Sequence, residues 1–272
     1  MSEHDAWACA LCGSGDHRAV CEKAGARYVQ CARCQVVRQQ PYPSAADIDA
    51  YYANYQSHKN AQSDYLSDAG YAAFSRDKRF TFADLGLPAD AFTGKTVLDV
   101  GCATGQFLTL MADSGAARVR GIDASAECIA TAKARGLDCE SIDFLDVQGQ
   151  HDVITMWHLI EHLPQPLDYL RHAHALLAPG GWLLIETPVI GMVSEAFGAN
   201  WRYFMPTEHI NLFTMDALVR HAAGVGFSLR SHIRFGSGND SEAVPAPNKR
   251  AMDLIAKKAG FGDTLALWLI KN

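Results

Sequence analysis

The sequence lacks the features of a membrane-spanning or secreted chain. No apolar run approaches the roughly 18 residues that a bilayer-spanning helix needs, and residues 1–20 have no basic-then-apolar signal pattern. An excess of basic residues is also missing, because 24 Lys and Arg stand against 30 Asp and Glu, for a formal net charge of -6. Since binders of polyanions are usually basic, we expect no nucleic-acid partner. We therefore expect a cytoplasmic protein without a membrane partner.

The length and composition allow a core of useful size. The chain has 272 residues, of which 49% are hydrophobic and 20% charged, which suits one medium α/β domain with a small appendage. Its eight cysteines indicate metal binding or core packing rather than disulfides, given the expected compartment. Four of them have no paired spacing, and we expect these to pack in the core: Cys21, Cys102, Cys128 and Cys139.

The other four cysteines form two closely spaced pairs near the start of the chain. Eighteen residues separate the pair Cys9 and Cys12 from the pair Cys31 and Cys34, which is the spacing of a tetrathiolate zinc site. Four thiolates close the coordination sphere, so such an ion is structural. A segment of about 40 residues buries too little apolar surface to fold alone, and the metal would supply much of its folding energy. We predict a zinc ribbon over residues 1–40.

The stretch from Thr96 to Gly105 reads as a buried strand that enters a glycine turn and then a helix. Val97, Leu98 and Val100 form the apolar run of a strand buried on both faces, and Asp99 interrupts it. A buried carboxylate needs a partner. Gly101 and Gly105 bracket a turn where backbone can approach a ligand.

The spacing of this turn separates two cofactor classes. A dinucleotide site has the pattern Gly-x-Gly-x-x-Gly, but the second and third glycine places, counted from Gly101, hold Ala103 and Gln106. This argues against a nicotinamide-dependent oxidoreductase. Asp99-x-Gly101-x-x-x-Gly105 instead resembles the first motif of class I S-adenosylmethionine (SAM) dependent methyltransferases.

Strands and helices alternate after this turn, which predicts a doubly wound, mostly parallel sheet. Strands are expected at 117–122, 139–143, 152–157 and 181–187, and a terminal antiparallel hairpin at 227–235 and 264–271. Ligands of such sheets lie beyond the carboxyl ends of the strands. Asp123 and Asp143 follow the second and third strands, where they suit the ribose hydroxyls and the adenine of a nucleoside, with Phe144 beside the adenine ring.

Several later segments look like methyltransferase motifs in the expected order: His158-Leu-Ile-Glu161-His162-Leu-Pro164, Leu177-Ala-Pro179-Gly180-Gly181-Trp182 and Pro206-Thr-Glu208-His209-Ile-Asn-Leu-Phe213. The resemblance covers residues 44–272. It implies a Rossmann-like α/β fold with a seven-stranded sheet. Together with the cysteine pattern, this predicts three parts: the ribbon (1–40), a helical lid or linker (41–92) and a SAM-binding domain (93–272). The cofactor contacts it implies are Asp99, Gly101, Cys102, Ala103, Gly105, Asp123, Asp143, Phe144 and Trp157.

A zinc ribbon ahead of such a domain is similar to two groups, bacterial deoxysugar C-methyltransferases and a ribosomal RNA guanine methyltransferase family. The charge disfavours the second. We expect a methyltransferase that acts on a small molecule, such as a sugar or natural-product intermediate. The alternatives are a ribosomal RNA base methyltransferase and a non-catalytic zinc-ribbon adaptor that binds SAM.

The protein must align the acceptor with the methyl group and remove its proton. Four residues are candidates for this role: His158, His162, Glu208 and His209. Histidine suits proton uptake because its unperturbed pKa is about 6.5, and Glu208-His209 resembles a Glu-His pair beside the substrate of the sugar C-methyltransferases. We predict His209 as the base, oriented by Glu208, with His162 as its competitor. A helix that starts at Ser44 presents Tyr51, Tyr52 and Tyr55, which are lid or packing residues.

Overall fold

A seven-stranded sheet forms the centre of the protein, for which a computed structural model describes residues 8–9, 11–53, 67–238 and 245–272. Its strands are β4 (Thr96–Val100), β5 (Arg118–Ile122), β6 (Cys139–Glu140), β7 (His151–Trp157), β8 (Leu177–Pro188), β10 (Phe227–Phe235) and β11 (Thr264–Lys271). They lie side by side in the order β10-β11-β8-β7-β4-β5-β6.

The five strands from β4 to β8 are parallel, and β11 runs antiparallel to both of its neighbours, β8 and β10. Val97, Leu98 and Val100 are buried, as expected for a strand covered on both faces. The predicted fold class is confirmed: a Rossmann-like, mostly parallel sheet with a terminal antiparallel hairpin.

Helices cover both faces of this sheet and connect its strands. They are α2 (Asp68–Leu85), α3 (Gln106–Asp113), α4 (Ala126–Ala134), α5 (Pro166–Leu176), α6 (Met192–Phe197), α7 (Met215–Val225) and α8 (Ala246–Ala259), preceded in the chain by α1 (Ala45–Ala53). Ser67, Ser125 and Thr214 begin three of them, each accepting a backbone N–H three residues further on. No helix within the described residues is long and apolar enough to cross a membrane.

A second, four-stranded sheet is built mostly from the cysteine-containing segment. Its strands are β1 (His17–Lys23), β2 (Ala26–Cys31), β3 (Val37–Gln40) and β9 (Asn211–Leu212), in that order and all antiparallel. The last strand comes from the segment after β8, where it pairs Leu212 with Val37. The first 40 residues and the C-terminal part of the chain thus share one sheet.

Side-chain packing reinforces this junction. Tyr28, Val37, Trp201, Phe204 and Leu212 form one buried cluster, in which the Tyr28 and Phe204 rings lie 4.7 Å apart. The backbone N–H of Thr207 also donates to Gln39 Oε1 at 2.7 Å. The division into ribbon, lid and methyltransferase domain stays a prediction, but the ribbon strands pack as a continuous part of the larger unit.

The observed bounds match several predicted ones and differ at others. The hairpin strands at 227–235 and 264–271 are confirmed, and so is the Ser44 cap, whose hydroxyl accepts from Asp47 N–H at 3.2 Å. The strand predicted at 139–143 ends at Glu140, because Asp143 turns the chain by accepting from the Leu145 N–H. Tyr55 and the Tyr52 side chain lie outside the described residues.

Candidate functional site

The turn after β4 has a backbone shape that explains its glycines. Gly101 and Gly105 have φ values of 80° and 86°, in the left-handed region that favours glycine, and Ala103 between them has a φ of 46°. The N–H groups of Gly101 and Cys102 both donate to the Ile122 carbonyl, at 2.8 and 2.9 Å. These bonds hold the turn against the end of β5 and leave it open toward the sheet edge.

A cavity of about 1360 Å³ lies beyond the carboxyl ends of β4, β7 and β8. Six of the residues predicted from the sequence line it: Asp99, Gly101, Cys102, Ala103, Trp157 and His158. Other walls come from α2, α3, β8, β10, α8 and the loop after α6. They include Phe74, Lys78, Phe107, Glu186, Arg202 and Phe235. Two buried atoms on these walls, Glu186 Oε2 and Trp157 Nε1, have no hydrogen-bond partner among the described residues.

Asp99 lies at the floor of this cavity. It is 2% exposed, and Thr155 Oγ1 on the neighbouring β7 donates to its carboxylate at 2.6 Å. Burial raises the pKa of Asp99 to about 7, and the hydrogen bond from Thr155 opposes the rise. The partner that the sequence required for this carboxylate is therefore a hydroxyl on the adjacent strand.

The other predicted cofactor residues do not line the cavity. Asp123, at the end of β5, accepts from the backbone N–H groups of Ala103 at 2.9 Å and Ser125 at 2.8 Å. Asp143 is exposed, and the Phe144 ring packs 5.3 Å from Tyr169 with 2% of the residue exposed. Gly105 closes the turn against α4. The sheet places all of these residues on the carboxyl-end side, but outside the large cavity.

A chain of charged side chains forms the cavity wall between β7 and β8, and all of its members are buried except His158, whose side chain is 38% exposed. Lys78 Nζ on α2 donates to Glu186 Oε1 at 2.6 Å, and His158 Nε2 lies 3.3 Å from the same oxygen. The other ring nitrogen of His158 lies 3.2 Å from Glu161 Oε1, while Thr187 Oγ1 donates to Glu161 Oε2 at 2.9 Å. Lys78 also lies over the Trp157 ring, 4.2 Å from its centroid.

These contacts fix the charge of each group. Burial would lower the pKa of His158, but the hydrogen bonds to Glu161 and Glu186 outweigh burial and raise the pKa to about 9. Burial would likewise raise the pKa values of Glu161 and Glu186, yet their cationic neighbours bring both to about 2. At neutral pH His158 is an imidazolium whose two N–H groups are both engaged. It can therefore stabilise charge in the cavity but cannot accept a proton.

The remaining catalytic candidates form a cluster behind this wall. His162 and His209 are 8% and 4% exposed, and their rings meet edge to face with centroids 4.9 Å apart. His162 Nε2 lies 3.7 Å from Glu161 Oε1, and His209 Nδ1 lies 2.9 Å from the Tyr203 carbonyl oxygen. Burial lowers the pKa of His209 to about 4, and the neighbouring His162 ring contributes to the shift in the same direction. The His209 ring is therefore neutral at neutral pH.

Glu208 contacts the helix that precedes the sheet. It is 3% exposed, and Tyr51 on α1 donates a 2.6 Å hydrogen bond to its Oε2. Of the three tyrosines predicted as lid or packing residues, Tyr51 thus reaches the Glu-His pair. The structure brings His162 and His209 together beside Glu161, one layer behind the cavity that His158 lines.

Sequence reasoning missed Lys78, Glu161, Glu186 and Thr187. An acid inside the apolar stretch of β8 was a usable signal for Glu186, because a buried carboxylate needs a partner, as for Asp99. Nothing in the basic stretch around Lys78 distinguishes this lysine from its exposed neighbours in the sequence. Which basic side chain faces the cavity depends on how α2 packs against the sheet.

The four paired cysteines converge at one point. Their sulfur atoms all lie within 4.8 Å of one another, with Cys9 Sγ 3.3 Å from Cys34 Sγ and Cys12 Sγ 3.6 Å from Cys31 Sγ. Both pairs have the same local geometry. The residue after each second cysteine, Gly13 or Gln35, has a positive φ and donates its N–H to the carbonyl of the first cysteine.

Comparison with known proteins agrees with the Rossmann-like methyltransferase fold. A family described as a methyltransferase domain matches residues 68–232. The chain belongs to this methyltransferase domain family.

Curated relatives include the ubiquinone biosynthesis O-methyltransferases of Paraburkholderia xenovorans and Bordetella bronchiseptica, which are 35% and 37% identical over 105 and 109 residues. These matches cover 35% and 36% of this chain, and the chain spans only about 45% of the length of each relative.

Among solved structures, the chain resembles magnesium protoporphyrin IX methyltransferase from Synechocystis with bound S-adenosylhomocysteine. The TM-score is 0.58 at 13% identity, and the match covers 84% of this chain and 100% of that chain. It also resembles the cyclase SpnF, with a TM-score of 0.55 at 20% identity over 82% of this chain and 93% of that chain. Identities this low show the fold alone.

The charge of His158 can be tested by titration. Because its pKa is raised to about 9 from an ordinary value near 6.5, the stability it contributes is complete below about pH 6.5 and is lost as pH rises through about 9. We expect the free energy of unfolding from urea titrations to fall across this window in the wild type. His158→Gln should remove that component of the fall.

The matched control is His174→Gln, since burial lowers the pKa of His174 and its loss leaves the alkaline window intact. NMR of the histidine rings gives an independent reading. A His158 ring that titrates near 6.5 in the folded protein would contradict the assignment.

Proposed function

We propose that the protein is a SAM-dependent methyltransferase that acts on a small-molecule acceptor. One observation carries the proposal: the cavity at the carboxyl ends of β4, β7 and β8 joins the glycine turn to a wall of aromatic and charged side chains. Ligands of doubly wound sheets bind at this edge. The cavity therefore has room for a cofactor on the side of the turn and for an acceptor on the side of β8.

The residues present fit SAM. A Cβ on Gly101 would lie 3.2 Å from the Leu159 side chain, so the absence of a side chain there keeps the backbone open to a ligand. Asp99 and the buried Trp157 Nε1 supply polar groups beside the turn, and the latter has no partner in the described part of the chain. We assign the methionine end of SAM to the turn at residues 99–105. The ribose is assigned to Asp123 and the adenine to Asp143 and Phe144, which lie on the same carboxyl-end side but outside the cavity, so this half of the assignment rests on the sequence resemblance.

When bound, SAM supplies an electrophilic methyl group on a sulfonium. The residues of this chain then have three tasks: to hold the acceptor in line, to exclude water and to take its proton. Phe74, Phe107, Trp157 and Phe235 give apolar walls suited to the second task. Lys78 and His158 place two cations where an acceptor oxygen would develop negative charge, and this favours its ionisation.

Proton removal is assigned to the histidine cluster behind this wall, with His209 as the base. A base must be neutral before it acts, which His209 is and His158 is not. The Tyr203 carbonyl holds Nδ1 in its protonated form, so Nε2 is the basic atom. Glu208, held by Tyr51, and His162 position this ring. The low pKa of His209 makes it a weak base. For this reason the activities of the His209 and His162 variants are compared below.

For the methyl acceptor we propose a broad class, a small molecule. Curated relatives that carry the name ubiquinone biosynthesis O-methyltransferase support a small molecule rather than a nucleic acid. A net charge of -6 supports the same choice. A sugar or natural-product intermediate is our narrower proposal, and it rests on the sequence resemblance of the Glu208-His209 segment.

A structural zinc ion is proposed at Cys9, Cys12, Cys31 and Cys34. Tetrahedral zinc with sulfur at about 2.3 Å places sulfurs about 3.8 Å apart, and the two shortest separations here are 3.3 and 3.6 Å. The matching turns at Gly13 and Gln35 support two symmetric halves of one site. With four thiolates the ion has no open position, so its role is to stabilise the ribbon sheet.

A second candidate function is a protein of this fold that performs another reaction or only binds SAM. The resemblance to a cyclase shows that this fold does not determine the chemistry. Calorimetry with SAM, followed by detection of S-adenosylhomocysteine after incubation with hydroxylated acceptors, separates the two. Methyl transfer supports the first candidate, whereas SAM binding without transfer to a broad acceptor panel supports the second.

Replacing Asp123 should weaken SAM binding. A hydrogen bond to a buried charged group contributes about 1.5–3 kcal/mol, so Asp123→Ala should raise the dissociation constant roughly tenfold or more. Asp146→Ala is the matched control, because Asp146 is an exposed acid in the segment that follows the neighbouring strand β6. Unchanged SAM affinity in a folded Asp123→Ala protein would sink the ribose assignment.

Replacing His209 should impair turnover and spare cofactor binding. His209→Ala is expected to lower turnover by roughly 10²–10⁴ while the dissociation constant for SAM stays near the wild-type value. The same measurements on His162→Ala discriminate between the two histidines. An active His209→Ala protein beside an inactive His162→Ala protein would transfer the role of base to His162.

The purified protein should contain one zinc ion per chain by elemental analysis. Cys31→Ser should lose the metal and destabilise the ribbon sheet, because a buried ligand is removed from the site. Cys128→Ser is the control, since Cys128 is buried on α4 in the other part of the chain. Wild-type protein free of zinc after purification without chelators would refute the site.

A further inference from the structure

The helix α8 turns its polar side toward the protein and its apolar side toward solvent. Ala256 is its one buried residue, and Lys249, Asp253 and Lys257 are half-buried beside it. Asp253 accepts from Ser237 Oγ at 2.7 Å and from Lys249 Nζ at 2.6 Å, and Lys257 pairs with Asp84 on α2. This arrangement is the reverse of an ordinary surface helix, which packs its apolar face inward.

The outward face presents large apolar side chains. Met252, Leu254 and Ile255 are 45%, 52% and 58% exposed. Phe80 on α2 is 60% exposed, and together with Leu254 it also lines the cavity described above. We call Phe80, Met252, Leu254 and Ile255 the apolar rim. Exposed apolar groups that are contiguous and rimmed by polar residues mark interaction sites.

The charge of the helix selects the kind of partner. Four basic residues against one acidic residue give α8 a net charge of +3 in a protein of net charge -6. Lys249 and Lys257 are engaged in ion pairs, whereas Arg250 and Lys258 make none within the described residues. A two-fold contact between two copies would bring this basic helix against itself, which like charges disfavour. The complementary surface is therefore anionic and able to accept apolar side chains.

We propose that α8 and the apolar rim dock onto the surface of a bilayer that contains anionic phospholipids. A basic amphipathic helix lies in the plane of such a surface, with its apolar side chains below the headgroups and its cations among them. Binding of this kind needs no membrane-spanning run, so it is compatible with the absence of one from the sequence. The proposal differs from the expectation of no membrane partner, which considered spanning segments alone.

The position of the rim gives this docking a consequence for the cavity. Four residues of α8 also line the cavity: Lys249, Arg250, Leu254 and Lys257. A docked helix would therefore hold the mouth of the cavity against the bilayer. An acceptor with an apolar chain could then enter from the lipid phase. This last step rests on the proposed function, whereas the docking itself does not.

Vesicle co-sedimentation of the full chain tests the docking without any measurement of activity. The wild type should bind vesicles of phosphatidylcholine mixed with phosphatidylglycerol, bind pure phosphatidylcholine less, and dissociate from the mixed vesicles at high salt. Met252→Ser with Leu254→Ser and Ile255→Ser should lower the partition coefficient at least about tenfold. Arg250→Glu with Lys258→Glu should lower it by a similar factor.

Two matched controls keep the result specific. Met192→Ser removes a 63% exposed methionine from α6, and Lys133→Glu reverses an exposed charge on α4. Both should bind mixed vesicles like the wild type. Circular dichroism melts confirm folding of each variant, and Ile255→Ser alone serves if the triple variant is unstable.

Three outcomes would overturn the proposal. The first is no enrichment of the wild type on the mixed vesicles, and the second is binding that the α8 variants do not change. The third is a concentration-dependent dimer in sedimentation velocity that the triple variant abolishes, without vesicle binding, which would assign the rim to a second copy of the chain. The SAM-binding and turnover measurements on the variants described under the proposed function bear on that function alone and leave the docking proposal unchanged.

Discussion

The carboxyl-end edge of the sheet depends on the pairing of buried charges. Glu186 on β8 is neutralised by Lys78 from α2 and by His158 after β7. Glu161 is paired with His158 and accepts a hydrogen bond from a hydroxyl on β8. Removing one member would leave its partner charged and buried, which costs far more than the pair contributes. The cavity is therefore built around a salt-bridge network that fixes α2, β7 and β8 relative to one another.

The network also separates the histidines by charge. His158 lies between two carboxylates and keeps its proton, whereas His209, buried beside His162 and a backbone carbonyl, stays neutral. These two histidines thus differ in what they can do to an acceptor. The sequence motif alone gives no sign of this difference, because it depends on which acids face each ring.

The fold was largely predictable from local patterns. The apolar run at Val97–Val100, the glycine turn and the regular alternation of strands and helices were enough to predict the parallel sheet, and the terminal hairpin strands were placed correctly. Residues of the candidate site were predictable only where the local sequence itself carries the signal. Asp99 interrupts an apolar strand, and the cysteine pairs have the spacing of metal ligands. Lys78 and Glu186 are 108 residues apart in the chain, so no local pattern could pair them. The placement of His209 behind the wall, and of Tyr51 against Glu208, likewise depends on tertiary packing.

The small sheet constrains the order of folding. Its first three strands are complete by Gln40, but the fourth lies at Asn211–Leu212, and the hydrogen bond from Thr207 to Gln39 spans 168 residues. Long-range pairings form late, because the loop between them must be closed before any contact is gained. On the ribosome the cysteine segment would emerge well before its last strand and would expose the edge of β3 in the meantime. Under the proposed zinc site, early metal capture at the four cysteines would hold this segment in a defined shape until β9 arrives to cover that edge.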